Sequence, residues 1–367
     1  MLITEFIAAY NLLVHLIHQS PNVNEYLQPI CKNLSGNISS TSSNKTGLAL
    51  SVLSTIFNIL PSDEPVRYPV FAAILDVVSR SSNYEALRPQ LKHLDGWLAQ
   101  WNVPATQQRR LYLRIATIAR EAGEGEQSYD YLVRAIRTIP SADASGDEAR
   151  KLSVDALKAA LSSPSHFDFE DLSALDSIQG LATSEPAFYE LLEIFTSKLL
   201  DDFNDFNAER NSWLEQQSLD DSSLVRKMRL LTLASLAAST GQTRSLPYAS
   251  ISDALQIPAE DVEMWVIDVI RAGLVEGKLS QLNQTFLIHR STYRVFTQTQ
   301  WREVAGRLDM WRNSLTGVLA VVRQEKENMI AQKEQELKAT DSKLNDTGTR
   351  SGYRPPMQRD AIYVGMD

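Results

Sequence analysis

The sequence predicts a mainly α-helical chain in three parts: a right-handed helical-repeat solenoid, a winged-helix domain and a long C-terminal helix. Three observations predict it. Apolar residues recur three and four apart through residues 47–222, in segments separated by short turns rich in Gly, Pro, Ser or Asp. Over 223–297 the pattern changes to three helices with strand-like runs among them. From 298 an apolar seam with heptad spacing opens.

Residues 1–34 read as N-terminal helices. The opening Met1-Leu2-Ile3-Thr4-Glu5 has no basic stretch and sets Glu5 among apolar residues, which fits an amphipathic helix better than a signal peptide. Residues 35–46 are too polar and Ser-rich for either period and read as a linker. Apolar segments follow near 48–60, 66–79, 84–101, 105–121, 126–139, 147–161, 172–181 and 186–200. Leu111, Ile115 and Ile118 form one stripe, Gly123-Glu124-Gly125 a turn, and Tyr129, Leu132 and Ile136 the next stripe. So short a turn forces the two helices antiparallel. Hairpins of this kind bury their stripes by stacking into a solenoid; an irregular helical bundle is the alternative.

In the second part, Leu224, Met228, Leu231, Ser235 and Ala238 share a helix face, and Gly241 stops that helix. Residues 243–247 form a short strand, and a second helix runs through Ile251 and Leu255. Pro258-Ala259-Glu260-Asp261 opens a third helix with acids where the dipole favours them; Val262, Val266, Val269 and Ile270 form its buried side. Strands at 274–280 and 284–290 complete the wing. In the third part, 298–339 is one helix whose seam is Trp301, Val304, Leu308, Trp311, Leu315, Val318 and Val322. From 323 to 338 the seam nearly ends, and residues 340–367 read as a disordered tail.

With 367 residues, 43% of them apolar, the chain is long enough for two or more cores. The single cysteine, Cys31, has no disulfide partner in the chain, which fits a reducing compartment and a cytoplasmic location. Charge is uneven. Residues 1–222 hold 17 basic against 29 acidic residues, a net of −12, whereas 223–367 hold 19 against 16, a net of +3. The larger part repels nucleic acid as a body and points to protein partners.

Enzyme readings fail on inventory, and no catalytic, cofactor-binding or metal-binding residues are assigned. There is no phosphate-binding lysine loop, no dinucleotide glycine motif, no paired cysteines and no His-Glu-x-x-His. His15 and His18 lie three apart without a third ligand, so a helix-surface pair is the plainer reading. Asp201, Asp202 and Asp205 read as a solvated helix end. The third helix of the winged helix carries Glu260, Asp261, Glu263 and Asp268 against Arg271, which disfavours DNA. Two basic groups, Arg109, Arg110 and Arg114, then Arg226, Lys227 and Arg229, are candidates for weak RNA contact; covering acidic neighbours is the plainer expectation. The seam from Trp301 to Val322 spans roughly 33 Å at 1.5 Å per residue, more than a winged helix covers. Leaving its seven apolar residues in water would be unfavourable by about 1.5 kcal/mol or more each. It either folds back on its own chain or, the reading preferred here, joins helices of other subunits.

This architecture resembles the PCI domain shared by subunits of the proteasome lid, the signalosome and translation initiation factor 3, with the initiation-factor branch nearest. The resemblance rests on Pro65-Val66-Arg67-Tyr68, Trp101-Asn102 and Lys227-Met228-Arg229-Leu230-Leu231-Thr232. It continues through Asp261-Val262-Glu263, Val266-Ile267-Asp268, His289, Ser291-Thr292, Arg294, Phe296, Gln300-Trp301 and Trp311. It implies a non-catalytic scaffold with no cofactor, whose winged helix and terminal helix meet other PCI and MPN subunits and, through the complex, the small ribosomal subunit. A signalosome or proteasome-lid subunit, or an RNA-binding PCI protein of mRNA export, is the alternative.

Overall fold

The computed structural model describes residues 3–19, 23–36, 43–210, 212–240, 243–295 and 298–346. The chain divides into two units, residues 1–295 and 296–367.

The first unit begins with α1 (Ile3–His18), α2 (Val23–Gly36), α3 (Ser43–Ile59) and α4 (Arg67–Ser81). Then come α5 (Arg88–Leu91), α6 (Leu94–Gln100), α7 (Ala105–Glu121), α8 (Gly125–Arg137) and α9 (Asp147–Ser162). Helix α3 packs on α4 and α8 on α9, α2 also packs on α4 and α4 on α7, and α7 with α8 is the most extensive pair. Their hairpin is set by a helix stop. Gly123 takes φ +84°, its N–H bonds to the Arg120 carbonyl, and the N–H of Glu124 bonds to Ala119 at 2.9 Å. That pairing closes the last carbonyls of α7 and turns the chain back within three residues.

Single turns α10 (Glu170–Ser173), α11 (Asp176–Gln179) and α12 (Leu181–Ser184) lead into α13 (Pro186–Ser197), α14 (Leu200–Glu209) and α15 (Trp213–Gln216). Several expected boundaries change here. The segment 84–101 is a 3-10 turn plus α5 and α6, because Pro89 has no N–H to continue a helix and sits at the start of a new one. The segment 172–181 is three single turns, and 186–200 ends at Ser197. There the backbone extends at Lys198 and Leu199, and Asp202 accepts the Leu199 N–H at 3.0 Å to start α14. Of the expected linker 35–46, Ser35 and Gly36 close α2 and Ser43 opens α3; residues 37–42 lie outside those described.

Helix α16 (Asp221–Ser239) is capped by Asp220, whose side chain accepts the Ser223 N–H. It buries more than the single face expected. Leu224, Met228 and Leu231 belong to the helical-repeat core, while Leu230, Leu233, Ala234 and Ala237 belong to the winged-helix core. One helix therefore fastens the repeat to the domain that follows. Strand β1 (Ser245–Pro247), α17 (Tyr248–Leu255), α18 (Val262–Arg271), β2 (Val275–Ser280) and β3 (Thr285–Ser291) complete a winged helix. Its antiparallel sheet has the order β1-β3-β2, with Phe286 opposite both Leu246 and Leu279.

The second unit is one helix, α19 (Gln298–Asp346). At 49 residues it is roughly 73 Å long. It exceeds the expected limit of 339 by seven residues, so the start of the expected tail is helical; residues 347–367 lie outside those described.

Candidate functional site

Five cations reach across the first unit to helix C-termini. The last carbonyls of an α-helix have no partner within it and carry the negative end of its dipole. Arg67 donates to the Phe57 carbonyl at the end of α3 at 2.7 Å, and its guanidinium lies 4.2 Å from the Phe57 ring centre. Arg80 donates to Ser35 at the end of α2. Arg109 donates to the Thr138 carbonyl beyond α8 and pairs with Glu148 at 2.7 Å. Lys227 donates to Ala160, Leu161 and Ser163 at the end of α9, at 2.7, 3.2 and 2.6 Å. Arg294 donates to Ile194, Phe195 and Lys198 around the end of α13, at 3.0, 2.6 and 2.7 Å. Burial pushes the Lys227 ammonium down to about 7 and the Arg294 guanidinium down to about 10.

This alters the two basic groups considered for RNA. Arg109 and Lys227 are buried and spent on carbonyls. Arg114 pairs with Asp76, Arg226 with Asp268 at 2.8 Å, and Arg229 lies 5.3 Å over the Trp265 ring. Arg110 is exposed. The six therefore form no common basic face. Three of the residues that carry the resemblance, Arg67, Lys227 and Arg294, are cations that hold helix ends together.

A groove of about 700 Å³ runs beside Lys227, lined by Ser163, Ser165, Phe167, Arg226, Asp268 and Arg271. Among its lining residues the Ser165 hydroxyl donates to the Glu126 carboxylate. Lys227 faces backbone carbonyls and Asp268 is engaged by Arg226. Elsewhere, Asp202 caps α14, Asp201 accepts from Gln256 at 2.6 Å, and His15 contacts Gln19. Among the described residues no group of three or more metal-ligating side chains exists, and no helix is long and apolar enough to cross a membrane.

The acids of α18 also have local work. Asp268 holds Arg226, and Glu263 accepts from Gln281 at 2.9 Å. The apolar seam of α19 is open along most of its length. Trp301 is 63% exposed, Leu308 57%, Trp311 66%, Leu315 50%, and Val318 and Val322 57% each. Val304 is half-buried. Met329 continues the same line one heptad beyond Val322 and is 60% exposed.

A helical repeat that shares one helix with a winged helix, followed by a long helix with an open seam, defines a PCI-domain protein. In agreement, residues 200–290 match the PCI domain family and residues 294–322 match the family described as eIF3 subunit M, C-terminal helix. The chain is 63% identical over 341 residues to eukaryotic translation initiation factor 3 subunit M of Phaeosphaeria nodorum, covering 93% of this chain and 77% of that protein. The proteins of the same name from Aspergillus terreus and Chaetomium globosum are 51% and 46% identical over 335 and 333 residues. Those two matches cover 89% and 90% of this chain and 72% and 78% of the relatives. The chain belongs to the eukaryotic translation initiation factor 3 subunit M family.

Proposed function

We propose that this chain is a non-catalytic scaffold subunit of the eukaryotic translation initiation factor 3 complex. It is held in place by the winged helix and by the seam of α19, and it supports initiation on the small ribosomal subunit in the cytoplasm. The observation that carries this reading is the seam itself, seven large apolar residues on one line of α19, six of them at least half exposed. Burial against partner helices recovers about 1.5 kcal/mol or more for each such side chain, enough in sum to hold a subunit in an assembly. The other PCI and MPN subunits are the partners this implies.

An RNA-binding role of the mRNA-export kind is disfavoured by the −12 of residues 1–222 and by the internal partners of Arg109, Arg114, Arg226 and Lys227. The test is co-purification of tagged full-length chains with the other subunits of the factor. Leu308→Asp/Leu315→Asp is expected to lose at least nine-tenths of the wild-type yield of partners while keeping wild-type helicity. Undiminished co-purification of that variant defeats the reading.

A further inference from the structure

Resting on the reading of α19 as an assembly surface, we propose that its seam accepts a helix whose flanks are acidic, and that it rejects a second copy of this chain. The observation is how charge is sorted around the helix. With Trp301, Leu308, Leu315, Val322 and Met329 at the first seam position of successive heptads, Val304, Trp311 and Val318 fall at the second. The positions that border such a seam on either side set partner choice, because their charges meet across the interface.

Between residues 300 and 340 every charged residue at a bordering position is basic: Arg307, Arg312, Lys326 and Lys333. All four are exposed. Residues 323–338 balance four basic side chains against four Glu, yet the balance is only in the count. Glu327 and Glu334 fall on the outer face, and Glu325 and Glu336 fall on the seam line, where they end its apolar run. No acid borders the seam. Asp309, which pairs with Arg312 at 3.3 Å, lies on the outward side and both partners are largely exposed, so a carboxylate from another helix can replace it.

The consequence holds for either helix orientation. Two parallel copies would set Arg307 of each against Arg312 of the other, and two antiparallel copies would set the border of Arg312, Lys326 and Lys333 against itself. Both arrangements place like charges together, which builds rejection of the chain's own copy into the same residues that attract an acidic partner. A partner with Glu or Asp at its bordering positions pairs with up to four cations at once. Each exposed pair contributes about a factor of two, giving about tenfold in affinity at low salt.

The test uses the full chain and two synthetic helical peptides of identical Leu/Ile seam, one with Glu at every bordering position and one with Lys. Fluorescence anisotropy titrations are run at low and at high salt. The Glu peptide is expected to bind at least tenfold more tightly at low salt, with the gap shrinking to about twofold at high salt. The variant Arg307→Glu/Arg312→Glu/Lys326→Glu/Lys333→Glu is expected to reverse the order while retaining wild-type circular dichroism. Equal affinities, preference for the Lys peptide, binding of neither, or a wild-type chain that dimerises through α19 in sedimentation equilibrium each overturns the inference. The two readings fail separately. If Leu308→Asp/Leu315→Asp leaves the complex but the peptides are not distinguished, the assembly role stands and the charge rule falls. If the peptides are distinguished but that variant still enters the complex, the charge rule stands and the assembly role falls.

Discussion

Lys227 places its ammonium 2.7 Å from the carbonyl of Ala160 and so closes α9 from a helix 67 residues further along the chain. The same nitrogen reaches Leu161 and Ser163, so three carbonyls depend on one buried side chain. Lys227→Met keeps the length and strands those carbonyls; the expected cost is about 2–3 kcal/mol of unfolding free energy. The pH dependence identifies the charge. Unfolded, the amine holds its proton up to 10.5, and in the fold only up to about 7. Between those values the unfolded state binds more protons, so this group makes stability rise with pH. The wild-type advantage over Lys227→Met is therefore expected to grow from pH 7 to pH 10, measured by chemical denaturation at three pH values in that range.

Arg294 follows the wing and binds the wing's exit to the end of α13. Its two terminal nitrogens meet three backbone carbonyls and the Ser235 hydroxyl. A planar fork is needed for so many acceptors at once, and an ammonium cannot reproduce it. Arg294→Ala is expected to cost about 3 kcal/mol, and Arg294→Lys to recover less than half of that. Thermal melts of the three proteins check the order.

His166 works in the opposite pH range. Its ring lies 4.3 Å from Tyr129 and 5.3 Å from Phe169, and its buried Nε2 has no hydrogen-bond partner among the described residues. Burial first, and then nearby Lys227, hold its pKa below the ordinary 6.5. As pH falls through about 6.5, the unfolded chain takes up a proton that the fold refuses, and stability drops. His166→Phe is expected to flatten this acid limb between pH 7 and pH 5, as read from denaturation midpoints.

How legible these features are in the sequence depends on whether a pattern records direction. The stripe of Leu111, Ile115 and Ile118 yields α7 over 105–121 without error, because a regular apolar face marks both ends of a helix. The wing strands fall within one residue of their expected places for the same reason, as turn residues bracket them. The breaks inside 84–101 and 172–181 are hidden, since short helical turns keep apolar spacing across a change of axis. The buried cations are hidden by counting: Arg109 and Lys227 look like surface charge beside acidic segments. Phase would have found them. Lys227 lies four before the buried Leu231, and Arg109 lies three before the buried Tyr112, each on an inward face. The sorting of Lys326 and Lys333 to one side of α19 and Glu327 and Glu334 to another is likewise a matter of phase, invisible to net charge.

Gly277 is required by close approach. It sits at the bulge where β2 shifts register against β3. A methyl group there would collide with the Leu287 carbonyl and come within 2.5 Å of the Phe286 ring. Phe286 is fully buried at the centre of the winged-helix core. Gly277→Ala is expected to destabilise the winged helix by about 1–3 kcal/mol through overpacking. Hydrogen exchange should show faster opening of β2 and β3 than of α7, whose own core lies elsewhere.

The seam of α19 makes a prediction that separates stability from assembly. Leu308 and Leu315 are 57% and 50% exposed, so replacing them removes little buried surface from the chain itself. Substitutions of exposed residues are generally within about 0.5 kcal/mol of neutral. Leu315→Asp is therefore expected to leave the unfolding free energy within that margin, whereas Phe286→Ala loses about 3–5 kcal/mol. Co-purification should rank the two differently: Leu315→Asp depletes partners from a fully folded chain. A Leu315→Asp chain that melts several degrees early would mean that the free protein already covers this side chain, and the seam would then be part of its core rather than a surface kept for partners.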